Sequence, residues 1–398
     1  MRQRGSTHDV VVVGARCAGS ATAMLLARQG YDVVVIDRAR LPGDTVSTLS
    51  IARGGVVQLS RWGLLDSVLD SGAPPIRLVT FRTGETEDIR TVKRRAGVDL
   101  LVAPRRYILD AILAQAAGAA GADLRTGLTA TGVRRGPDGR VCAVIARDAA
   151  GAPVELSARF VVGADGVRSR VAREVGAEVI ESHPADNATF YAFFAGVDWR
   201  GFEFHLGQGA FAGVFPTHGG EACVWLCCPV ASAAPIAGAG GRRVEALVDL
   251  IGRASPSLAH RLRSARVASP VRGAVGLPNH VRRAAGPGWA LVGDAGYHRD
   301  PITGHGITDA FRDAELLAVA LDRTLLGGAD EREALAAYQR QRDGALRETF
   351  DLTCALARFP APERFVALQK RLSRALEAEA ERLASMPAPT AAAMAVAA

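Results

Sequence analysis

The chain has 398 residues, 48% hydrophobic and 22% charged, enough to bury a large core in two interwoven domains and too apolar for a disordered protein. Its formal charge of +7 comes almost wholly from arginine, with Lys93 and Lys370 the only lysines. GC-rich coding produces the same bias, so the charge does not point to nucleic acid, and a positive surplus also suits an anionic cofactor.

In chain order, the apolar run Val10 to Val13 meets a glycine turn, Gly14-Ala15-Arg16-Cys17-Ala18-Gly19. A small-residue helix pattern, Ser20 to Gln29, stops at Gly30, and a second apolar run, Val33 to Ile36, ends in Asp37 and Arg38. A polar loop with a Pro-Gly turn covers 41 to 50, and Gly54 to Trp62 reads as a short helix. Strands are expected at Ile76 to Phe81 and Asp88 to Val92, and a helix from Pro104 to Ala120 with Ile108, Ile112, Leu113 and Ala116 as its apolar stripe. A small antiparallel set follows at 133–134, 141–147 and 154–156, then a separate short strand, Phe160 to Val162, running into Gly163-Ala164-Asp165-Gly166.

From about Glu174 aromatic residues alternate with polar ones and glycine, which predicts a sheet at 190–194, 202–205, 211–215 and 222–228. A helix to Ile251 and a returning strand, Val267 to Leu277, come next. Trp289 to Val292 is a second buried strand with Gly293-Asp294 directly after it. Long helices are expected at Thr303 to Leu321, Glu331 to Arg347 and Phe365 to Leu383, and a disordered tail at 386–398. The six cysteines make no matched C-x-x-C pairs and read as reduced structural thiols. No signal-peptide pattern and no 18-residue uncharged apolar stretch is visible, which leads to the expectation of a cytoplasmic protein without stable membrane insertion. No metal-ligand spacing and no G-x-S-x-G nucleophile elbow occur.

The opening unit is strand, turn, helix, strand and acid. Gly14 permits the tight turn, Gly19 permits close helix–strand packing, and the helix amides face a pyrophosphate at their positive end. Arg16 stands where the usual middle glycine would be, and either turns outward or pairs with a phosphate oxygen. Asp37 follows the turn at the separation of about 20 residues expected of a ribose-binding carboxylate. A dinucleotide is therefore the expected ligand, with a free ribose hydroxyl at Asp37, as in FAD or NAD.

With the later motifs added, the chain resembles the flavoprotein aromatic hydroxylase superfamily, whose wider group holds flavin-dependent halogenases, epoxidases and geranylgeranyl-reductase-like proteins. The resemblance rests on Val12 to Gly19, on Pro104-Arg105-Arg106-Tyr107-Ile108-Leu109-Asp110, on Val161 to Ser169 with its Asp-Gly, and on Leu291 to Ala295 continuing through Asp300-Pro301-Ile302-Thr303-Gly304-His305-Gly306. It implies an α/β fold like that of para-hydroxybenzoate hydroxylase. Residues 1–175 and 270–345 would form a Rossmann-type FAD-binding domain, with small inserted strands at about 76–102. An interwoven antiparallel substrate sheet would occupy 176–269, and C-terminal helices 346–385.

By the same resemblance, FAD would contact Gly14, Ala15, Arg16, Ala18, Gly19, Asp37, Arg38, Arg105, Asp165, Gly166, Asp294, Pro301, Gly304, His305 and Gly306. Arg53 and His305 are the candidates for a direct catalytic part, and Phe193, Phe204, Phe215 and Trp225 for the wall of a pocket holding a flat hydrophobic substrate. The leading activity is an FAD-dependent monooxygenase in specialised metabolism. NADH or NADPH would be a transient reductant, and oxygen from O2 would pass by way of a flavin C4a-hydroperoxide to an aromatic or olefinic molecule. A separate flavin reductase is a second way to reduce the flavin. The alternative is an FAD-dependent reductase or dehydrogenase of an isoprenoid or polyketide. Halogenation ranks lower, since no Trp-x-Trp-x-Ile-Pro segment or lysine in halogenase context is present, and a non-catalytic FAD-binding protein ranks lowest.

Overall fold

The computed structural model describes residues 7–387. Its first sheet has the order Ala285–Gly286, Trp289–Leu291, Pro153–Gly163, His8–Val13, Val33–Asp37, Asp123–Thr126, with Thr129–Arg135 and Val141–Arg147 attached alongside. The central pairs are parallel: Val12 lies opposite Val35 on one side and Val162 on the other. Their valine-rich runs suit strands covered on both faces. Val10, Val12, Val33, Val35 and Val162 turn toward helices Cys17–Arg28, Arg106–Ala119 and Gly306–Leu325. Val11, Val13, Val34, Ile36 and Val161 turn to the opposite face. The alternation is the period of two that a strand imposes.

The strand Pro153–Gly163 is one continuous element of 11 residues rather than the two expected from sequence. Its first half pairs antiparallel with Val141–Arg147 and its second half parallel with His8–Val13. Three strands of this sheet, His8–Val13, Pro153–Gly163 and Trp289–Leu291, run in one direction. Their carboxyl ends therefore deliver the Gly14 turn, the Gly163–Gly166 loop and Gly293-Asp294 to one edge, where open α/β sheets bind ligands.

The second sheet has the order Arg266–Val267, Asn187–Ala195, Glu221–Pro229, Ala210–Pro216, Phe202–Gly207, Leu78–Thr83, Thr86–Thr91, with Arg272–Val275 also on Asn187–Ala195. The sequence grouped 76–102 with the nucleotide-binding part; in the fold, Leu78–Thr83 pairs in parallel with Phe202–Gly207 and extends this second sheet. The expected returning strand at 267–277 is two short strands, broken around Pro270, which has no amide hydrogen for a ladder. Ala188, Phe190, Ala192, Val224 and Leu226 pack on helices Arg243–Ala254 and Pro256–Ser264. The second of these was not anticipated, although Ser255 caps it at Leu258 N (3.2 Å) and Pro256 fills its first turn.

A third sheet joins Val179–His183, Asn279–Arg282 and Tyr297–His298. The helix expected from Thr303 begins at Gly306, because Pro301–Thr303 forms a 3-10 turn closed by Gly304 at φ +66°. Helix Glu331–Ala357 runs ten residues past its expected end, and Pro362–Ser385 follows. Of the expected disordered tail, Met386 and Pro387 offer their carbonyls to Arg61; residues 388–398 lie outside those described. Among the described residues no helix is long and apolar enough to cross a membrane, and no group of three or more His, Cys, Asp or Glu could hold a metal. All six cysteines are free, and burial raises the thiols of Cys17, Cys223, Cys227, Cys228 and Cys354.

Candidate cofactor site

Gly14 has φ +106°, and a Cβ there would stand 2.4 Å from the Ala164 carbonyl oxygen. The Gly163–Gly166 loop thus lies directly across the glycine turn, where only glycine fits. Helix Cys17–Arg28 starts with no side-chain cap and no acidic residue in its first turn. Its first amides keep their donors, at the positive end of the helix. Asp37 bridges from the second strand: Oδ2 accepts from Ala15 N at 2.9 Å and Oδ1 from Ala39 N at 2.8 Å. Arg38 beside it is exposed.

Arg16 turns neither outward nor to the middle of the turn. It donates to Asp110 Oδ2 (3.0 Å) and Gly43 O (3.2 Å). Asp110 is fully buried and also accepts from Cys17 Sγ and from Arg106. The inward face of helix Arg106–Ala119 is Arg106, Leu109, Asp110, Leu113 and Ala117, whereas Ile108, Ile112 and Ala116 are only half-buried. Of the apolar stripe taken from sequence, Leu113 lies on the buried face and the other three sit one step off it, because a buried ion pair at i, i+4 shares that face with leucine. Arg105, the sequence candidate, is the residue before this helix, and its side chain leaves in another direction. It donates to Glu221 (2.9 Å) and Asp44 (3.0 Å) and lies 3.7 Å over the ring of Phe193. Arg106 instead holds Asp110, the carboxylate that also pairs with Arg16 of the glycine turn, and its field acts on Cys17 and Asp294.

Gly293 brings Asp294 to the junction of two helix starts. A Cβ on Gly293 would lie 3.1 Å from Ala18 Cβ and 3.4 Å from Ala310 Cβ, and one on Gly306 would lie 4.0 Å from Asp294 Oδ1. Asp294 is open to solvent, yet protein surrounds it closely enough that burial raises its carboxyl above the usual range. It therefore sits on the floor of a hollow between uncapped helix starts at Cys17 and Gly306. The loop Pro301–Gly306 borders this hollow and is tied to the 41–50 segment, since Ser50 Oγ donates to Gly304 O (3.2 Å).

His305 ends this loop. Burial together with the neighbouring Arg299 guanidinium pushes its imidazole down to about 4, against a smaller opposing influence of Asp309 and the Thr303 backbone. Arg299 in turn pairs with Asp309 at 2.8 Å. Asp165 uses its carboxylate locally: Oδ2 accepts from Arg170 N and Val171 N, and Oδ1 from Ser169 Oγ, capping the short helix Arg170–Glu174. Gly166 follows at φ +80°. Arg53 is buried and donates to Glu377 Oε1 (3.0 Å) and Val98 O (2.9 Å), joining helix Arg53–Arg61 to the C-terminal helix.

Phe204, Phe215 and Trp225 meet on the inner face of the second sheet, with ring centroids 5.3–5.9 Å apart. Phe193 belongs to the same apolar cluster and packs its ring on Tyr191 and under Arg105. Phe211 and Phe365, which sequence reasoning passed over, join this buried aromatic cluster at 5.1 Å from each other. Ile302 of the loop and Leu356 and Leu372 of the last two helices belong to the same apolar cluster. The alternation in the 211–215 run was the available signal for Phe211; nothing local marks Phe365.

Residues 7–234 match the family described as FAD binding domain, and the chain belongs to that family. It is 27% identical over 357 residues to digeranylgeranylglycerophospholipid reductase of Methanocella arvoryzae, covering 87% of this chain and 85% of the relative. It is 30% identical over 330 residues to menaquinone reductase of Mycolicibacterium smegmatis, covering 78% and 75%. Its fold is similar to that of the flavin-dependent brominase Bmp2, with TM-score 0.80, 18% identity and 96% of each chain covered. The chain is accordingly an FAD-dependent oxidoreductase with the Rossmann-type domain, antiparallel sheet and C-terminal helices of a superfamily that holds both reductases and monooxygenase- or halogenase-type enzymes.

The site residues fit FAD on their own chemistry. The glycine turn leaves amides free at a helix start, Asp37 stands at its rim, and Asp294 lies exposed in a walled hollow beside a second uncapped helix.

Proposed function

We propose that the chain is an FAD-dependent reductase that saturates a carbon–carbon double bond in an apolar, isoprenoid-type substrate. The carrying observation is that its similarity to a reductase of a digeranylgeranyl lipid spans 87% of this chain, taking in the substrate sheet as well as the cofactor part. The only reducible groups along a polyprenyl chain are its double bonds. Saturation of one takes a hydride and a proton, and FAD supplies redox capacity of that kind when bound. The chain's own residues hold and orient. Gly14 to Gly19 and Arg106 receive the pyrophosphate, Asp37 the ribose, and Asp294 the ribityl or nearby phosphate portion. The Pro301–Gly306 loop and the start of helix Gly306–Leu325 turn amides to the flavin pyrimidine, where their dipoles favour negative charge. Phe204, Phe211, Phe215 and Trp225 present an apolar wall that excludes water from the reacting carbons. NADH or NADPH is the transient reductant.

Monooxygenation of an aromatic or olefinic molecule is the second reading, favoured by the aromatic character of that wall. One experiment separates the two. The reconstituted enzyme is reduced with NADH, NADPH or dithionite without oxygen and mixed with a geranylgeranyl lipid. Flavin reoxidation with gain of two hydrogen atoms by the lipid supports the reductase. Reoxidation only on admitting O2, with gain of one oxygen atom, overturns it in favour of the monooxygenase.

A further inference from the structure

Asp300 immediately precedes the Pro301–Gly306 loop and is 1% exposed. Its backbone N–H donates to Asn279 Oδ1 (2.7 Å), and its Oδ1 accepts from Ile302 N (2.9 Å), starting the 3-10 turn of the loop. The same oxygen accepts from Asn187 Nδ2 at 2.6 Å. Asn187 is the first residue of strand Asn187–Ala195 of the second sheet and is 2% exposed. The contact is thus a direct polar tie between the loop that borders the cofactor hollow and the sheet that carries the aromatic wall.

Two atoms at this contact are left over. Asp300 Oδ2 and Asn187 Oδ1 are both buried without a hydrogen-bond partner. Both are acceptors when Asp300 is ionised, and neither then has a donor. A carboxylic acid facing a carboxamide resolves this, because the acid O–H and the amide N–H complete two antiparallel hydrogen bonds. The neighbours of Asp300 make ionisation costly. Cys227 on the sheet and Cys354 on helix Glu331–Ala357 face it with little polarity, and Asp186, which pairs with Arg358 at 3.8 Å, adds negative charge; the hydrogen bonds from Ile302 N and Asn187 Nδ2 and the nearby His298 act in the opposite sense. Burial is the largest influence and raises the carboxyl.

We propose that Asp300 and Asn187 form an acid–amide latch, with a second hydrogen bond from Asp300 Oδ2 to Asn187 Oδ1, and that Asp300 is the positioning residue that holds the Pro301–Gly306 loop against the substrate sheet. The latch fixes the separation between the cofactor-facing amides and the aromatic wall. It acts whichever reaction the enzyme catalyses.

The test uses the full chain and three variants, reading amide hydrogen exchange of residues 301–306 in the apoprotein and FAD affinity by flavin fluorescence. Asp300→Asn puts an N–H donor and a carbonyl acceptor where the protonated acid has its O–H and C=O, with one further N–H. It keeps parental protection and affinity and holds them as pH rises, whereas the parent loses protection as Asp300 ionises. Asp300→Ala and Asn187→Ala each lose loop protection and weaken FAD binding about tenfold. Two results would overturn the latch. One is Asp300→Asn behaving like Asp300→Ala at neutral pH, which means an ionised carboxylate is required. The other is a folded Asn187→Ala with parental protection and affinity. Asn187→Ala leaves the Ile302 cap in place, so a failure of Asp300→Ala to fold does not remove the test.

Discussion

A Cβ built on Gly19 would stand 1.7 Å from the carbonyl oxygen of Gly14. The first helix therefore touches the glycine turn backbone to backbone, with Ala164 closing the same contact from the Asp-Gly loop at 3.2 Å. Gly19→Ala must push helix and turn apart. The expected outcome is a protein destabilised by about 3 kcal/mol that purifies without flavin, read from urea unfolding and the ratio of visible to ultraviolet absorbance.

Asp37 holds two amides, those of Ala15 and Ala39. Asp37→Ala leaves both without their acceptor and removes the carboxylate proposed to meet the ribose. FAD affinity should fall by about 2 kcal/mol, with Asp37→Asn in between. Fluorescence titration of apoprotein with FAD measures both.

Arg105 and Arg106 are adjacent in sequence and send their side chains to different partners. Arg106→Lys loses the fork to Asp110 and should lower FAD affinity about tenfold while sparing the second sheet. Arg105→Lys breaks the links to Asp44 and Glu221 and the stack on Phe193. It should leave FAD affinity at the parental level and raise KM for the apolar substrate. Parallel FAD titrations and steady-state kinetics distinguish the two arginines.

Asp294 is placed against its own comfort. Its folded-state carboxyl is raised by burial, so the folded apoprotein binds a proton more tightly than the unfolded chain. Apoprotein stability then falls as pH rises from the unfolded carboxyl value through the higher folded one, and the cost persists above it. Asp294→Asn removes that cost. The expected pair of results is a higher Tm for the apoprotein at neutral pH and weaker FAD binding, checked by calorimetry and titration.

Glu203 has the opposite sign. Burial pushes its carboxyl up, but His205 at 3.2 Å and the Arg261 guanidinium at 2.8 Å overcome this and bring it to about 2. Its contribution is complete above the ordinary glutamate range and is lost as pH falls from about 4 to about 2. Glu203→Gln leaves Arg261 short of its partner and should cost about 3 kcal/mol at neutral pH while flattening the acid limb of the stability curve. Urea unfolding across acid pH tests it.

Much of the nucleotide-binding half was legible because its signals are local. The Val10–Val13 run, Gly14, Gly19 and Asp37 lie within one strand–helix–strand unit, and the chain folds them together. Gly293-Asp294 was readable for the same reason, as a turn straight after a buried strand. What the sequence hid were choices made by tertiary contact. Two consecutive arginines look alike in a string, and only the start of the helix at Arg106 decides which one faces Asp110. Asp165 reads equally as a ligand and as a helix cap until Ser169 and Arg170 fold back onto it. The Leu78–Thr91 hairpin gives no sign that its partner is a strand more than a hundred residues later. Arg53 appears available until Glu377, from the far end of the chain, takes its guanidinium.

The strand Pro153–Gly163 also governs the order in which this protein can assemble. His8–Val13 leaves the ribosome first, yet one of its two flanking strands ends at Gly163, and that strand's own outer neighbour ends at Leu291. His8–Val13 must wait, with one edge open, for about two fifths of the chain, and Pro153–Gly163 then waits for its outer neighbour until nearly three quarters of it. Such long-range pairing is slow, and an unpaired apolar edge is a template for other chains. Holding chaperones, low temperature and slow translation should therefore raise the yield of folded enzyme more than any change at the cofactor hollow, and a nascent chain ending before Leu291 should aggregate.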